Sequence, residues 1–101
     1  MTLFLEMRID KTEKELFLEV IHSIDPEAEV YLFGSRVDDT LKGGDIDLLI
    51  LSKEVGFNDK VLIKQRIFEK MEEQKIDILI NEDREEPFVK SILKHAMCLR
   101  P

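Results

Sequence analysis

The sequence predicts an α/β fold of the α+β type, in which a small mixed β-sheet is flanked by helices. Three short runs are rich in aliphatic and β-branched residues and are bounded by glycine, proline or charged residues, as strands are. Longer segments around these runs have apolar residues at helical spacing. The 101 residues, 44% hydrophobic and 37% charged, suffice for one domain with a modest core. We therefore expect a single domain over residues 1–101.

The first predicted elements are a helix and a strand. The helix runs from Asp10, which suits the N-cap position, to Ile24. It ends before Asp25-Pro26, because a residue that precedes proline is disfavoured in the helical conformation. Glu29 to Phe33 is then a strand, which Gly34 stops in a tight turn. The apolar stripe of the helix consists of Leu16, Phe17, Val20, Ile21 and Ile24.

The middle of the chain predicts a strand, a helix and a further strand. After a short polar segment and the Lys42-Gly43-Gly44 break, Asp45 to Leu51 has acids at its start and a continuous apolar run behind them. Such a run is typical of a strand buried on both faces. A helix capped by Asn58 follows to about Glu73, and Lys75 to Ile80 is the third strand. The inner stripe of this helix is predicted to be Leu62, Ile63, Ile67, Phe68 and Met71.

The last predicted element is a helix that opens at Glu85-Glu86-Pro87. Proline suits the first turn, and acidic residues are favourable at the positive end of a helix. The apolar stripe of this helix either completes the core or remains exposed as a partner-binding patch. The stripe is predicted to contain Phe88, Ile92, Leu93, Ala96 and Met97.

Charge and composition restrict the classes of partner and compartment. The net charge is −7, with 22 acidic against 15 basic residues, which disfavours a protein that coats long DNA or RNA. Two alternatives stay open, a single nucleotide that arrives with magnesium or a basic protein partner. No apolar run approaches the ~20 residues of a membrane span, and the N-terminal residues lack signal-peptide features. One cysteine, Cys98, suits a reducing compartment, so we expect a cytoplasmic location.

The candidate catalytic residues are three aspartates. Asp45 and Asp47 share one face of a strand, because side chains two positions apart point the same way. Two neighbouring carboxylates repel each other, and a hard cation offsets that cost. Asp77 is the only acid inside the third strand and supplies a third carboxylate if the two strands are neighbours. Three such carboxylates can hold two magnesium ions ~3.5–4 Å apart, an arrangement used for phosphoryl displacement.

The turn after the first strand is the candidate phosphate-binding element. Gly34 lets the backbone approach a phosphate, and Ser35 adds backbone and hydroxyl donors. Arg36 either contacts the outer phosphates or forms a surface ion pair with a neighbouring acid. No metal-ligand spacing links His22, His95 and Cys98, for which we predict surface or interface roles.

Gly34-Ser35, nine further residues and then Asp45-x-Asp47 resemble the signature of the DNA polymerase β-like nucleotidyltransferase superfamily. The subfamily that the chain most resembles is the minimal nucleotidyltransferases, small prokaryotic proteins often encoded beside a HEPN-domain partner. The resemblance covers nearly the whole chain and implies the polymerase β-like palm fold. It also implies that Gly34 and Ser35 bind phosphate, that Asp45 and Asp47 bind metal, and that Asp77 helps to activate the acceptor hydroxyl.

One departure from the family pattern lies between Ser35 and Asp45. The pattern usually has one residue more in this interval, and the missing residue falls in the 38–44 loop. Loop length changes at small cost in free energy. We therefore expect the deletion to be tolerated.

The resemblance implies an enzyme that transfers NMP from ATP or another NTP, with two magnesium ions, to an acceptor hydroxyl. It further implies a HEPN-domain ribonuclease toxin as partner, with this chain as the antitoxin that adenylylates a tyrosine of the toxin. A homodimer is also compatible with the sequence. The alternative is a catalytically vestigial module that neutralises its partner by stoichiometric contact. A third hypothesis is an enzyme that acts on a small molecule or an RNA end.

Overall fold

A computed structural model of the chain describes residues 11–34, 46–73 and 75–100. In these residues the strands form a four-stranded sheet in the order β3-β2-β1-β4. β1 is antiparallel to both β2 and β4, whereas β2 and β3 are parallel. This mixed sheet with flanking helices confirms the predicted fold class. The elements are α1 (Lys11–Ile24), β1 (Glu29–Phe33), β2 (Ile46–Leu51), α2 (Asp59–Phe68), β3 (Ile76–Asn81), α3 (Pro87–Leu93) and β4 (Met97–Leu99).

The first helix and the first strand follow the sequence closely. α1 ends at Ile24 and β1 spans Glu29–Phe33, as predicted. The proposed N-cap, Asp10, lies outside the described residues. Four residues of the predicted stripe are buried and the fifth, Ile24, is partly buried against them. The amphipathic pattern was therefore sufficient to identify this helix.

The sheet is buried on both faces around β2. Alternate residues of β2, including Leu48 and Ile50, face a larger core that α1 and α2 cover. The other set, Leu49 and Leu51, packs with Val89 of α3 in a smaller core on the opposite face. The continuous apolar run predicted this burial on two faces. Asp47 lies on the face of the smaller core, because it alternates with Leu48.

The second helix is shorter than predicted, ending at Phe68 rather than near Glu73. Asn58 occupies the N-cap position, as predicted, but its side chain makes no capping hydrogen bond. Leu62 is 37% exposed, and its assignment to the inner stripe was wrong. The buried residues of this helix are Ile63 and Ile67, which lie one helical turn apart and face the sheet. Leu62 is next to Ile63 in the chain and therefore lies on a different side of the helix.

The C-terminal prediction was wrong in its second half. α3 begins as expected, with Pro87 in its first turn and Glu86 as an N-cap whose carboxylate accepts two backbone N–H groups. The helix ends at Leu93, and Met97 lies in β4 rather than in a helical stripe. Phe88 is 60% exposed, whereas Val89 is fully buried. Residues Met97–Leu99 form a strand instead of continuing the helix because they give backbone hydrogen-bond partners to the edge of β1. This pairing outweighs their helical propensity.

A buried polar contact joins the end of α1 to the end of β2. The Ser52 hydroxyl donates to Asp25 Oδ2 at 2.6 Å, and the hydroxyl oxygen accepts the N–H of Val55 at 2.9 Å. Asp25 Oδ1 accepts the N–H of Glu27 at 2.9 Å. The hydrogen bond from Ser52, followed by that from Glu27, lowers the pKa of Asp25 below its ordinary value of 3.8.

Replacing Asp25 by asparagine is therefore expected to destabilise the protein more at neutral pH than in acid. A carboxyl group whose pKa is lower in the folded protein stabilises the fold above its unfolded pKa, and the contribution is lost as pH falls through the folded pKa. The free energy of unfolding, measured in urea at about pH 7 and about pH 3, checks this expectation. An equal loss at both pH values would contradict it. Glu72→Gln, which neutralises an exposed carboxylate, is the control.

Candidate active site

Asp47 and Asp77 lie side by side in the sheet. They are register partners in the parallel pair β2–β3, and neighbouring strands are ~4.8 Å apart. Both side chains project from the face of the smaller core, since Leu49 and Leu79, two residues further along each strand, belong to that core. Asp47 is half-buried and Asp77 is exposed. The structure thus brings together two of the three aspartates that the sequence singled out.

Gly34 lies directly against the carboxylate of Asp47. Phe33 is the register partner of Asp47 in the antiparallel pair β1–β2, and Gly34 follows it with a φ of 75°. A Cβ atom placed on Gly34 would lie 2.3 Å from Asp47 Oδ2, far inside van der Waals contact. From the sequence we predicted that Gly34 allows the backbone to approach a phosphate. The structure adds that only glycine leaves room for the Asp47 carboxylate in this position.

The remaining predicted site residues, Ser35, Arg36 and Asp45, lie outside the described residues, and their roles stay predictions. The two described residues that flank this interval, Gly34 and Ile46, lie at the same end of the sheet. Ser35 directly follows Gly34 in the chain, and Asp45 directly precedes Ile46.

The described carboxylates fit a magnesium ion. Carboxylate oxygens are ligands that Mg²⁺ prefers, and the ion is often held by one or two carboxylates with water completing the shell. Two adjacent carboxylates repel each other, and a cation between them offsets that repulsion. In the described ranges no set of three His, Cys, Asp or Glu residues forms a metal site. The pair of Asp47 and Asp77 therefore offers two of the three ligands that the sequence predicts for magnesium, and Asp45 stays the predicted third.

Lys75 is a basic residue at this site that the sequence analysis treated only as the start of a strand. Its carbonyl oxygen accepts the N–H of Ile46 at 3.1 Å, which places it beside the start of β2. Lys75 is exposed and stands two positions before Asp77, so alternation puts it on the same face. The sequence signal that would have identified Lys75 is its position two residues before Asp77, which brings a cation to the acidic end of the sheet.

An open cleft of about 520 Å³ lies at the other end of the sheet and includes Glu29, Tyr31 and Arg84 in its lining. The Arg84 guanidinium donates to the carboxylate of Glu29 and to the Tyr31 hydroxyl, and that hydroxyl donates to Glu29 at 2.7 Å. Burial and the hydrogen bond with Glu29 raise the pKa of Tyr31. Because Glu29 compensates the charge of Arg84, this cleft offers little net positive charge to an anionic substrate.

A family model described as a nucleotidyltransferase domain matches residues 14–98, which extend from α1 into β4. The chain belongs to the nucleotidyltransferase domain family. This confirms the predicted superfamily and indicates a transferase that moves a nucleoside monophosphate group. No curated protein matches the chain. In this nucleotidyltransferase, the described residues contain no helix that is both long and apolar enough to cross a membrane.

Proposed function

We propose that this nucleotidyltransferase transfers AMP from ATP, or NMP from another NTP, to an acceptor hydroxyl in a magnesium-dependent reaction. The observation that supports this proposal most directly is the contact between the glycine turn and the paired carboxylates. Asp47 and Asp77 are register partners, and Gly34 lies against Asp47. This arrangement puts a turn suited to phosphate binding next to a pair of carboxylates suited to divalent metal.

The residues of the chain would act mainly by positioning and by charge neutralisation. Gly34 and Ser35 would hold the phosphates, with Arg36 on the outer ones. Asp77 would accept the proton of the acceptor hydroxyl while the oxygen of that hydroxyl forms a bond to the α-phosphorus. The bond between the α-phosphorus and the bridging oxygen of the β-phosphate breaks, and pyrophosphate leaves. Magnesium ions bound at Asp45, Asp47 and Asp77 would supply charge stabilisation for this displacement.

The proposed acceptor is a tyrosine of a HEPN-domain ribonuclease toxin, and the chain would be the cytoplasmic antitoxin that adenylylates it. The resemblance of Gly34-Ser35 and Asp45-x-Asp47 to the minimal nucleotidyltransferases supports this assignment. The net charge of −7 supports a protein acceptor over a long nucleic acid.

The second candidate function is a vestigial module that neutralises its partner by stoichiometric contact. The exposed apolar side chains of Phe57, Val61 and Phe88 are compatible with such contacts. Against this candidate, adjacent carboxylates without a function are a liability to stability.

Replacing Asp47 by asparagine is expected to weaken magnesium-dependent ATP binding by at least about tenfold, because one charged metal ligand is lost. Calorimetric titration of ATP, with and without magnesium, into the wild type and the variant measures this effect. Glu72→Gln is the matched control, since it neutralises an exposed carboxylate outside the site.

Equal ATP binding by the wild type and Asp47→Asn would contradict the proposed site. Absence of binding by the wild type, both alone and with its partner, would instead favour the vestigial module. Binding only in the presence of the partner would indicate a site that the partner completes.

A further inference from the structure

Lys75 is held in the sheet by its backbone. The N–H of Ile46 donates to the Lys75 carbonyl oxygen at 3.1 Å, and Ile46 is the register partner of Ile76 in the parallel pair β2–β3. The slanted bonds of a parallel ladder join a residue to the neighbours of its register partner, as this bond does. The backbone of Lys75 therefore continues the ladder at the end of the sheet that holds Asp47 and Asp77.

The side chain of Lys75 projects from the face that bears Asp77. Ile76, which lies between these two residues, is buried in the larger core on the opposite face. Because side chains alternate along a strand, Lys75 and Asp77 both point away from that core, and both are exposed. Their Cα atoms are about 6.6 Å apart along the strand, a distance that the long, flexible side chain of lysine spans. The ammonium group is therefore within reach of an oxygen atom bound at the Asp77 carboxylate.

The order of the strands puts Lys75 and the glycine turn on opposite sides of Asp47. β3 lies on one side of β2, and β1, which leads into Gly34, lies on the other. In phosphoryl transfer the attacking and leaving oxygens are roughly in line, with the phosphorus between them. If the leaving phosphates bind at the Gly34 turn, the acceptor hydroxyl consequently approaches from the side of β3.

We propose that Lys75 is a catalytic residue on the acceptor side, whose ammonium group donates a hydrogen bond to the oxygen of the attacking hydroxyl. This inference rests on the proposed function. The proton of the hydroxyl passes to Asp77, and its oxygen bonds to the α-phosphorus. Lys75 keeps its own proton and stabilises the negative charge that develops on the attacking oxygen. The bond between the α-phosphorus and the bridging oxygen of the β-phosphate breaks, and pyrophosphate leaves.

The test separates nucleotide binding from transfer in a Lys75→Met variant. Transfer of label from α-labelled ATP to the proposed acceptor, the HEPN-domain toxin, gives kcat, and calorimetric titration gives the affinity for magnesium-ATP. We expect kcat to fall by about 10²-fold, because a donor to the attacking oxygen is lost. The affinity for ATP is expected to match that of the wild type, because the leaving phosphates lie on the other side of Asp47. A Lys75→Arg variant keeps the charge and is expected to retain more activity than Lys75→Met.

Lys53→Met is the matched control, because it removes the same charge from an exposed lysine just after β2, at the opposite end of the sheet. Thermal unfolding of each variant checks that the fold is intact. A wild-type kcat in Lys75→Met, an equal loss in Lys53→Met, or a fall in ATP affinity as large as the fall in kcat would overturn this inference. The proposed function would survive these results, provided that the wild type transfers label and Asp47→Asn does not. If the wild type transfers no label to the acceptor, both proposals fall.

Discussion

A Gly34→Ala variant is expected to lose most magnesium-dependent ATP binding while remaining folded. Two effects of the added methyl group act together. Its carbon would lie 2.3 Å from Asp47 Oδ2, so the carboxylate must leave its present position. The backbone φ of 75° is also unfavourable for alanine by about 1–2 kcal/mol. Because the displaced group is a predicted metal ligand, we expect ATP affinity to fall by at least about tenfold, as measured by calorimetry.

Gly56→Ala is the matched control for this experiment. A Cβ atom at Gly56 would lie 3.8 Å from Asp59 Oδ2, an ordinary contact, and the N–H of Gly56 that donates to this carboxylate is retained. We expect this variant to bind ATP as the wild type does. Wild-type ATP binding by Gly34→Ala, together with the expected loss of stability, would show that the position of the Asp47 carboxylate does not matter for the nucleotide.

An Asp77→Asn variant is expected to separate nucleotide binding from transfer. Asp77 is exposed on β3, one strand further from the glycine turn than Asp47. If it accepts the proton of the acceptor hydroxyl, its loss lowers the rate of transfer by about 10²–10⁴-fold. Because Asp77 is also a predicted metal ligand, the affinity for ATP should fall as well, but by less than the rate of transfer. Transfer of label from α-labelled ATP to the acceptor, alongside calorimetric titration, measures the two effects separately.

Asp83→Asn is a suitable control for Asp77→Asn. Asp83 lies in the segment after β3, where its Oδ1 accepts the N–H of Glu85 at 2.8 Å, and asparagine keeps that oxygen. The charge change is the same in both variants, but only Asp77 lies beside Asp47. Full transfer by Asp77→Asn would exclude it from proton transfer. Equal losses in both variants would attribute the effect to overall charge.

Most of the fold could be predicted from the sequence because the local pattern of apolar residues agrees with the burial of those residues in the structure. α1 has an amphipathic stripe with a proline-directed end, and the bounds of β1 follow its apolar run. The continuous run in β2 predicted burial on both faces, which the two cores confirm. The pattern of Gly34-Ser35 and Asp45-x-Asp47 led to the correct superfamily. These features lie within short windows of the chain, where periodicity and turn chemistry act directly.

The tertiary structure alone decided the features that depend on contacts distant in sequence. β4 forms because Met97–Leu99 pairs with the edge of β1, which no local propensity of those residues indicates. The register that sets Asp77 beside Asp47, and the close approach of Gly34 to the Asp47 carboxylate, likewise arise from strand pairing. The sequence by itself therefore determined which residue types the site contains. The pairing of strands, a long-range hydrogen-bonding effect, decided which of the described residues meet and how closely.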